Sequence, residues 1–262
     1  MTAVPVRRSV TPPVFDRQPG PARAGLILLA TDLTTERDFA RMVDPSRLSV
    51  YASRIAYENP TTPENLAKMQ PRLTEGARLI LPAEDLDVIC YACTAASVVI
   101  GDDAVTAAIA AGKPGTPVVT PPAAARAGFA ALGVSRISIL TPYLEETSRP
   151  MARYFTDRGF DVRNLDCFGL DDDRRMARVT PETLVRAAVA AMSPEAEALF
   201  VSCTALRAAE VAAEIEAAIG RPVVTSNQAS VWMTLRLAGI EDPLPGHGRL
   251  LTLPLPGGRV AT

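Results

Sequence analysis

The sequence predicts an α/β protein of two similar lobes, each a parallel β-sheet flanked by helices, related by a pseudo-twofold axis. Two cysteines recur in near-matching surroundings, Tyr91-Ala92-Cys93-Thr94-Ala95 and Val201-Ser202-Cys203-Thr204-Ala205, each directly after an apolar run. Neighbouring segments recur too: Gly115-Thr116-Pro117-Val118-Val119-Thr120 returns as Gly220-Arg221-Pro222-Val223-Val224-Thr225, and Leu28-Leu29-Ala30-Thr31-Asp32 lines up with Ile139-Leu140-Thr141-Pro142-Tyr143. The offsets of roughly 105–111 residues are too long for a solenoid repeat and suit a duplicated domain. Short apolar runs alternate with helical patterns along the whole chain, as parallel sheets require.

In chain order, residues 1–23 hold five prolines and no periodic apolar pattern, which predicts an extended, mobile arm or an oligomer contact. Ala24 to Ala30 reads as a strand, and the hydroxyls and carboxylates of Thr31 to Glu36 offer caps for a following helix. A strand near Leu48 to Ala52 leads through a Pro-rich loop to an amphipathic helix ending near Ile80, with Pro63 where an opening helix tolerates proline. Asp87 to Tyr91 is a third strand, Val98 to Ala111 a helix, and Pro117 to Thr120 a fourth strand. The plan then repeats: a helix from Ala123 to Leu132, a strand from Ile137 to Leu140, a helix through Arg149 to Arg158, and a strand from Asp161 to Asn164. After the acidic loop Asp171-Asp172-Asp173 come a helix from Pro181 to Met192, the strand Ala198 to Ser202, a helix ending at Ile219 and the strand Val223-Val224. The first lobe is assigned residues 24–120 plus about 224–245, the second 121–223, with the site between them at the carboxyl ends of the strands.

Bulk properties remove several classes of function. A chain of 262 residues with 48% hydrophobic content supports one large or two ordinary cores. A net charge of −2 without a long basic run gives no footprint for nucleic acid or an anionic membrane. No window has the roughly 18 apolar residues of a membrane span, and no secretory signal opens the chain, so a cytoplasmic homo-oligomer is expected. Four cysteines are too few for a disulfide scaffold, and one histidine argues against a Cys/His zinc site, so no metal is assigned. No GxGxxG or GxxxxGK[ST] loop occurs, so no cofactor is assigned either. Cys90 and Cys167 read as small apolar fillers, although the Cys90/Cys93 spacing also fits a redox motif.

Cys93 and Cys203 are each expected to precede a helix whose N-terminus lowers the thiol pKa, with Thr94 and Thr204 as hydroxyl partners. Facing thiols can remove a proton from one side of a carbon and return one to the other, the geometry racemisation needs. Asn59 and Asn227 are placed in loops where an amide can bind a carboxylate or simply form a turn.

The ordered set Asp32-Leu33-Thr34-Thr35-Glu36, Cys93-Thr94-Ala95-Ala96-Ser97, Thr141-Pro142-Tyr143, Asp171-Asp172-Asp173, Ser202-Cys203-Thr204 and Thr225-Ser226-Asn227-Gln228 resembles the aspartate/glutamate racemase superfamily. The resemblance spans about residues 24–241 and lies in the branch of maleate cis-trans isomerases, arylmalonate decarboxylases and ectoine-utilisation racemase-like proteins. It implies that Cys93 is the thiol that attacks a substrate alkene in maleate isomerases, that Cys203 handles the proton, and that Tyr143 donates a hydrogen bond to a substrate carboxylate or enediolate. The decarboxylases have glycine at the position of Cys93, so this chain departs from them. The maleate isomerases have asparagine where this chain has Asp32 and Asp173; an ionised Asp only accepts hydrogen bonds, which disfavours a second substrate carboxylate and suits an ammonium or amide N–H. Both acids also read as helix caps, and Arg54 either neutralises a carboxylate or serves the surface.

Within that branch the ectoine-utilisation proteins fit best, through residues 30–39, 58–65 and 98–103. The expectation is therefore a two-cysteine racemase or epimerase of ectoine catabolism acting on a small carboxylate such as a diaminobutyrate intermediate. Maleate cis-trans isomerisation is the alternative of the same class, and a non-catalytic small-molecule binding protein the alternative of another class.

Overall fold

A computed structural model describes residues 4–16 and 20–257. Its first sheet runs through β1 (Ala22–Leu29), helix α1 (Thr35–Met42), β2 (Leu48–Ile55), the short helices α2 (Pro63–Ala67) and α3 (Leu73–Arg78), β3 (Val88–Tyr91), helices α4 (Thr94–Ile100) and α5 (Asp102–Ala110), and β4 (Val118–Val119). After α6 (Pro121–Leu132) the second sheet comprises β5 (Arg136–Tyr143), α7 (Glu145–Thr156), β6 (Asp161–Leu170), α8 (Asp173–Met176), α9 (Pro181–Ala191), β7 (Ala198–Val201), α10 (Ala212–Ile219) and β8 (Val223–Thr225), and α11 (Ser226–Leu237) follows.

The sheets have orders β2-β1-β3-β4 and β6-β5-β7-β8, every pairing parallel. The second order repeats the first four strands on, so the sequence repeat is also a repeat of topology. The inner strands β1, β3, β5 and β7 are buried almost throughout, which is why they read as unbroken apolar runs rather than alternating ones. Helix boundaries follow local chemistry. Thr62 and Thr180 accept hydrogen bonds from Asn65 and Thr183 backbone N–H, with proline next in sequence, and Gly133 and Gly220 end α6 and α10 in the left-handed region that favours glycine. Two apolar clusters, each drawing on both sheets, fill the interior; one joins Leu26, Phe129, Ile139, Phe200 and Trp232, the other Ile27, Leu66, Leu199 and Val201.

Three elements differ from the sequence expectation. The helix expected over Val98 to Ala111 is two, because Gly101 at φ 93° ends α4 and α5 starts anew. The chain after Cys203 does not enter a helix: it turns through a 3-10 segment at Arg207–Glu210, and α10 begins only at Ala212. Residues 226–237, where the sequence predicts no element and places Asn227 in a loop, form α11, buried over most of its length and therefore without a polar stripe to betray its period.

Part of the arm expected over residues 1–23 lies outside the described residues; within residues 4–16, Val4, Val6, Val10, Val14 and Phe15 are exposed. Among the described residues no helix is long and apolar enough to cross a membrane.

Candidate functional site

The carboxyl ends of the inner strands of both sheets meet at a cavity of ≈ 30 Å³, room for about two water molecules. Cys93 follows β3 and Cys203 follows β7, the corresponding strand of the second sheet, and both thiols line this space, as do Tyr143 at the end of β5 and the side chains of Asp32 and Asp173. Thr94 and Thr204 complete the sequence-predicted lining. Asn59 and Asn227 do not line it.

Neither thiol is activated here. Burial pushes the Cys93 thiol up to about 12, against a lowering by the Ala96 backbone N–H, and the charges of Cys203, Asp173 and Asp32 raise it further. Burial likewise raises Cys203, to about 11, opposed by the Tyr143 hydroxyl and the N–H groups of Ala205 and Leu206. The expected lowering at a helix N-terminus is thus overturned: α4 is too short to outweigh desolvation, and Cys203 has no helix directly after it. Burial first, then the neighbouring thiols, also carries Tyr143 far above its usual range, so its hydroxyl keeps its proton and remains a donor.

Cys203 has φ 107°, in the left-handed region unusual for a residue with a side chain. Its backbone N–H donates to Ser226 Oγ at 2.9 Å, its Sγ accepts from Ala205 N–H at 3.3 Å, and Thr94 Oγ1 donates to the same Ser226 oxygen at 2.8 Å. One buried hydroxyl at the start of α11 therefore ties the two cysteine loops together. Thr204 Oγ1 donates to Ala92 O at 3.1 Å, just before Cys93. The protons of both threonine hydroxyls are thus engaged between the loops, which leaves their oxygens as acceptors at the cavity wall.

Asn227 is in the first turn of α11, where Nδ2 donates to Asp38 Oδ2 at 2.7 Å and to Thr204 O at 2.9 Å. It holds the Cys203 loop from behind, so the carboxylate-binding role expected for it does not survive. Asn59 Nδ2 donates to Asp173 Oδ1 at 2.8 Å and its Oδ1 accepts from Asp173 N–H at 3.3 Å, a two-way clamp on the acidic loop in place of the expected ligand role.

The two acids differ. Asp32 Oδ1 accepts from Thr34 and Thr35 N–H, each at 2.8 Å, and Oδ2 accepts from Thr35 Oγ1 at 2.7 Å, so this carboxylate holds the turn that leads into α1 while also lining the cavity. Asp173 opens α8 and is held only by side chains of other segments, Asn59 and the Thr31 hydroxyl. Arg54 turns away, donating to Asp32 O at 2.9 Å and pairing with Glu36, which assigns it to the surface.

Sequence reasoning missed Tyr57, Thr61, Leu66 and Met176 in the lining. Tyr57 OH and Thr61 Oγ1 lie 2.6 Å apart in the Pro-rich loop that follows β2, and a loop leaving the carboxyl end of a parallel strand was the available signal. Met176 gave none. Cys90 is packed in the cluster of Leu26 and Phe200, whereas Cys93 belongs to the other cluster; they sit on opposite faces of β3's line, which overturns the Cys90/Cys93 redox option.

The arylmalonate decarboxylase family model matches residues 60–251. A maleate isomerase of Pseudomonas putida is 27% identical over 247 residues, 88% of this chain and 97% of the relative. An arylmalonate decarboxylase of Bordetella bronchiseptica is 32% identical over 139 residues, 52% of this chain and 58% of the relative. Among solved structures, a cysteine-to-serine mutant of the Nocardia farcinica maleate cis-trans isomerase with a covalently bound succinylcysteine intermediate superimposes with TM-score 0.81 at 24% identity, covering 88% of this chain and 98% of that one.

Proposed function

The chain belongs to the arylmalonate decarboxylase family, and from that membership we propose that it is a cofactor-independent isomerase of the maleate-isomerase kind, acting on a small carboxylate between Cys93 and Cys203. The observation that carries this reading is the convergence of two buried thiols, from equivalent strands of two like sheets, on one cavity with Tyr143. A thiolate on one cysteine opposes ionisation of the other, so the pair holds at most one thiolate, and Cys93 gives up its proton to solvent before the substrate fills the site. In cis-trans isomerisation the Cys93 thiolate adds to one alkene carbon, forming a C–S bond, while the Cys203 thiol gives its proton to the other. The C–C bond, now single, rotates; Cys203 takes a proton back as the C–S bond breaks, and the trans product leaves with the Cys93 thiolate and the Cys203 thiol restored. The Tyr143 hydroxyl donates to the carboxylate oxygen on which charge develops.

A second reading, racemisation or epimerisation of a nitrogen-bearing carboxylate such as a diaminobutyrate intermediate of ectoine catabolism, is favoured by Asp32 and Asp173. Both are held as hydrogen-bond acceptors at the cavity wall, where a second substrate carboxylate meets repulsion and an ammonium or amide N–H finds a partner. Proton NMR in D2O with maleate, both enantiomers of N-acetyl-diaminobutyrate, diaminobutyrate and aspartate separates the two. Fumarate formation from maleate supports the alkene isomerase; cysteine-dependent loss of an α-proton signal supports the racemase. Silence across the whole panel sinks the proposal.

A further inference from the structure

Beside the catalytic cavity lies a groove of ≈ 290 Å³ framed by three segments, each continuing from a wall of that cavity. Leu33 and Thr34 follow Asp32, Ala177 and Arg178 follow Met176, and Arg207 lies two residues beyond Ala205. Thr34 Oγ1 donates to Ala205 O at 2.8 Å and Arg207 Nη2 to Val179 O at 3.1 Å, so the segments hold one another in place. The rest of the lining is Arg37, which makes three arginines and no acid among six residues.

These guanidinium groups are poorly neutralised. Arg207 Nε is buried and has no acceptor. Arg178 Nη1 donates to a backbone carbonyl, Arg174 O, at 2.8 Å, and Arg37 approaches Glu210 only to 3.7 Å. Glu210 and Glu182 lie outside the lining; Glu182 is held below its usual range first by backbone and Thr180 hydrogen bonds and then by the charges of Arg207 and Arg186. A concave surface with one sign of charge and few counter-charges concentrates anions, and the planar guanidinium fork matches a carboxylate.

We propose that this groove is a carboxylate-collecting anteroom: an anionic substrate docks on Arg178 and Arg207, drawn in also by Arg37, before the shared walls part and admit it to the thiols. The proposal rests on the reading of the substrate as a carboxylate. Its test does not require turnover. Iodoacetate carries a carboxylate and iodoacetamide does not, so the ratio of their alkylation rates at Cys93 and Cys203, followed by mass spectrometry, reports on how anions reach the site. Relative to free cysteine, the iodoacetate/iodoacetamide ratio should be about tenfold higher in the wild type at low salt and decline as KCl is added. It should fall back to the free-cysteine value in the Arg178→Gln/Arg207→Gln protein, the ratio cancelling any change in access that both reagents share. Arg178→Gln alone, at an exposed position, should give part of the loss, and Arg207→Lys should restore most of the ratio. A wild-type ratio equal to that of free cysteine, or one indifferent to these substitutions, overturns the proposal. Where labelling is slow, calorimetric titration with succinate makes the same comparison: about tenfold weaker binding in the double variant is expected, and equal affinity contradicts it. Absent isomerase activity with an intact labelling ratio would sink the functional reading and leave the anteroom standing.

Discussion

At the scale of single residues, the chemistry depends on where each proton sits. Cys93 and Cys203 are held protonated by burial, so alkylation by neutral iodoacetamide should rise with pH through 9 and beyond, without the plateau near neutrality of an activated thiolate. A rate already level by pH 7 would contradict this. The same shift affects stability: each thiol's folded value lies above its unfolded value near 9, so the unfolded chain loses these protons first as pH rises. Stability should therefore decline from about pH 9 upward, and less steeply in Cys93→Ser, as urea unfolding across that range would show. The two acids should also separate on mutation. Asp32→Ala removes the three hydrogen bonds that hold the turn into α1 and should cost about 1 kcal/mol or more of unfolding free energy, whereas Asp173→Asn should shift substrate preference toward a dicarboxylate, read from the ratio of kcat/KM values. Position was legible here for Cys93 and Cys203, because duplication marks the pair twice, and for Tyr143 through the Thr141-Pro142-Tyr143 segment of the family resemblance. Charge state was not, because desolvation is set by residues distant in sequence.

At the scale of elements, all eight strands were legible, since inner strands of parallel sheets are short apolar runs bounded by Gly, Pro and hydroxyl residues. Helix α11 was not: nearly every side chain from Ser226 to Arg236 is buried, so polarity carries no 3.6-residue period, yet its N-terminus supplies Ser226 and Asn227 to the Cys203 loop. Ser226→Ala removes the shared acceptor of Cys203 N–H and Thr94 Oγ1. Turnover should fall about tenfold or more through misplaced thiols, with KM little changed and Ser226→Thr partly restoring the rate; an unchanged kcat would show that the junction is only structural. Close packing elsewhere is equally specific. A Cβ on Gly112 would lie 2.4 Å from Thr74 O, so Gly112→Ala should destabilise the α3/α5 contact by about 1–3 kcal/mol in chemical denaturation.

At the scale of the whole molecule, two sheets of identical strand order place matching cysteines on one narrow cavity. A space of ≈ 30 Å³ is narrow for a dicarboxylate or amino acid, so seating one calls for movement of the segments around it. Those segments meet where Thr61 N–H donates to Asp171 O at 2.6 Å and where Asn59 clamps Asp173. Substrate identity was the part least legible in the sequence, because it depends on which acids remain available after helix caps and clamps have taken their share of hydrogen bonds. The central claim is that both thiols act on one substrate. Its most direct test is proton NMR in D2O with the substrate that the panel identifies, comparing wild type with Cys93→Ser and Cys203→Ser. The account predicts that each single substitution abolishes interconversion in a folded protein; interconversion near the wild-type rate in either variant would contradict it.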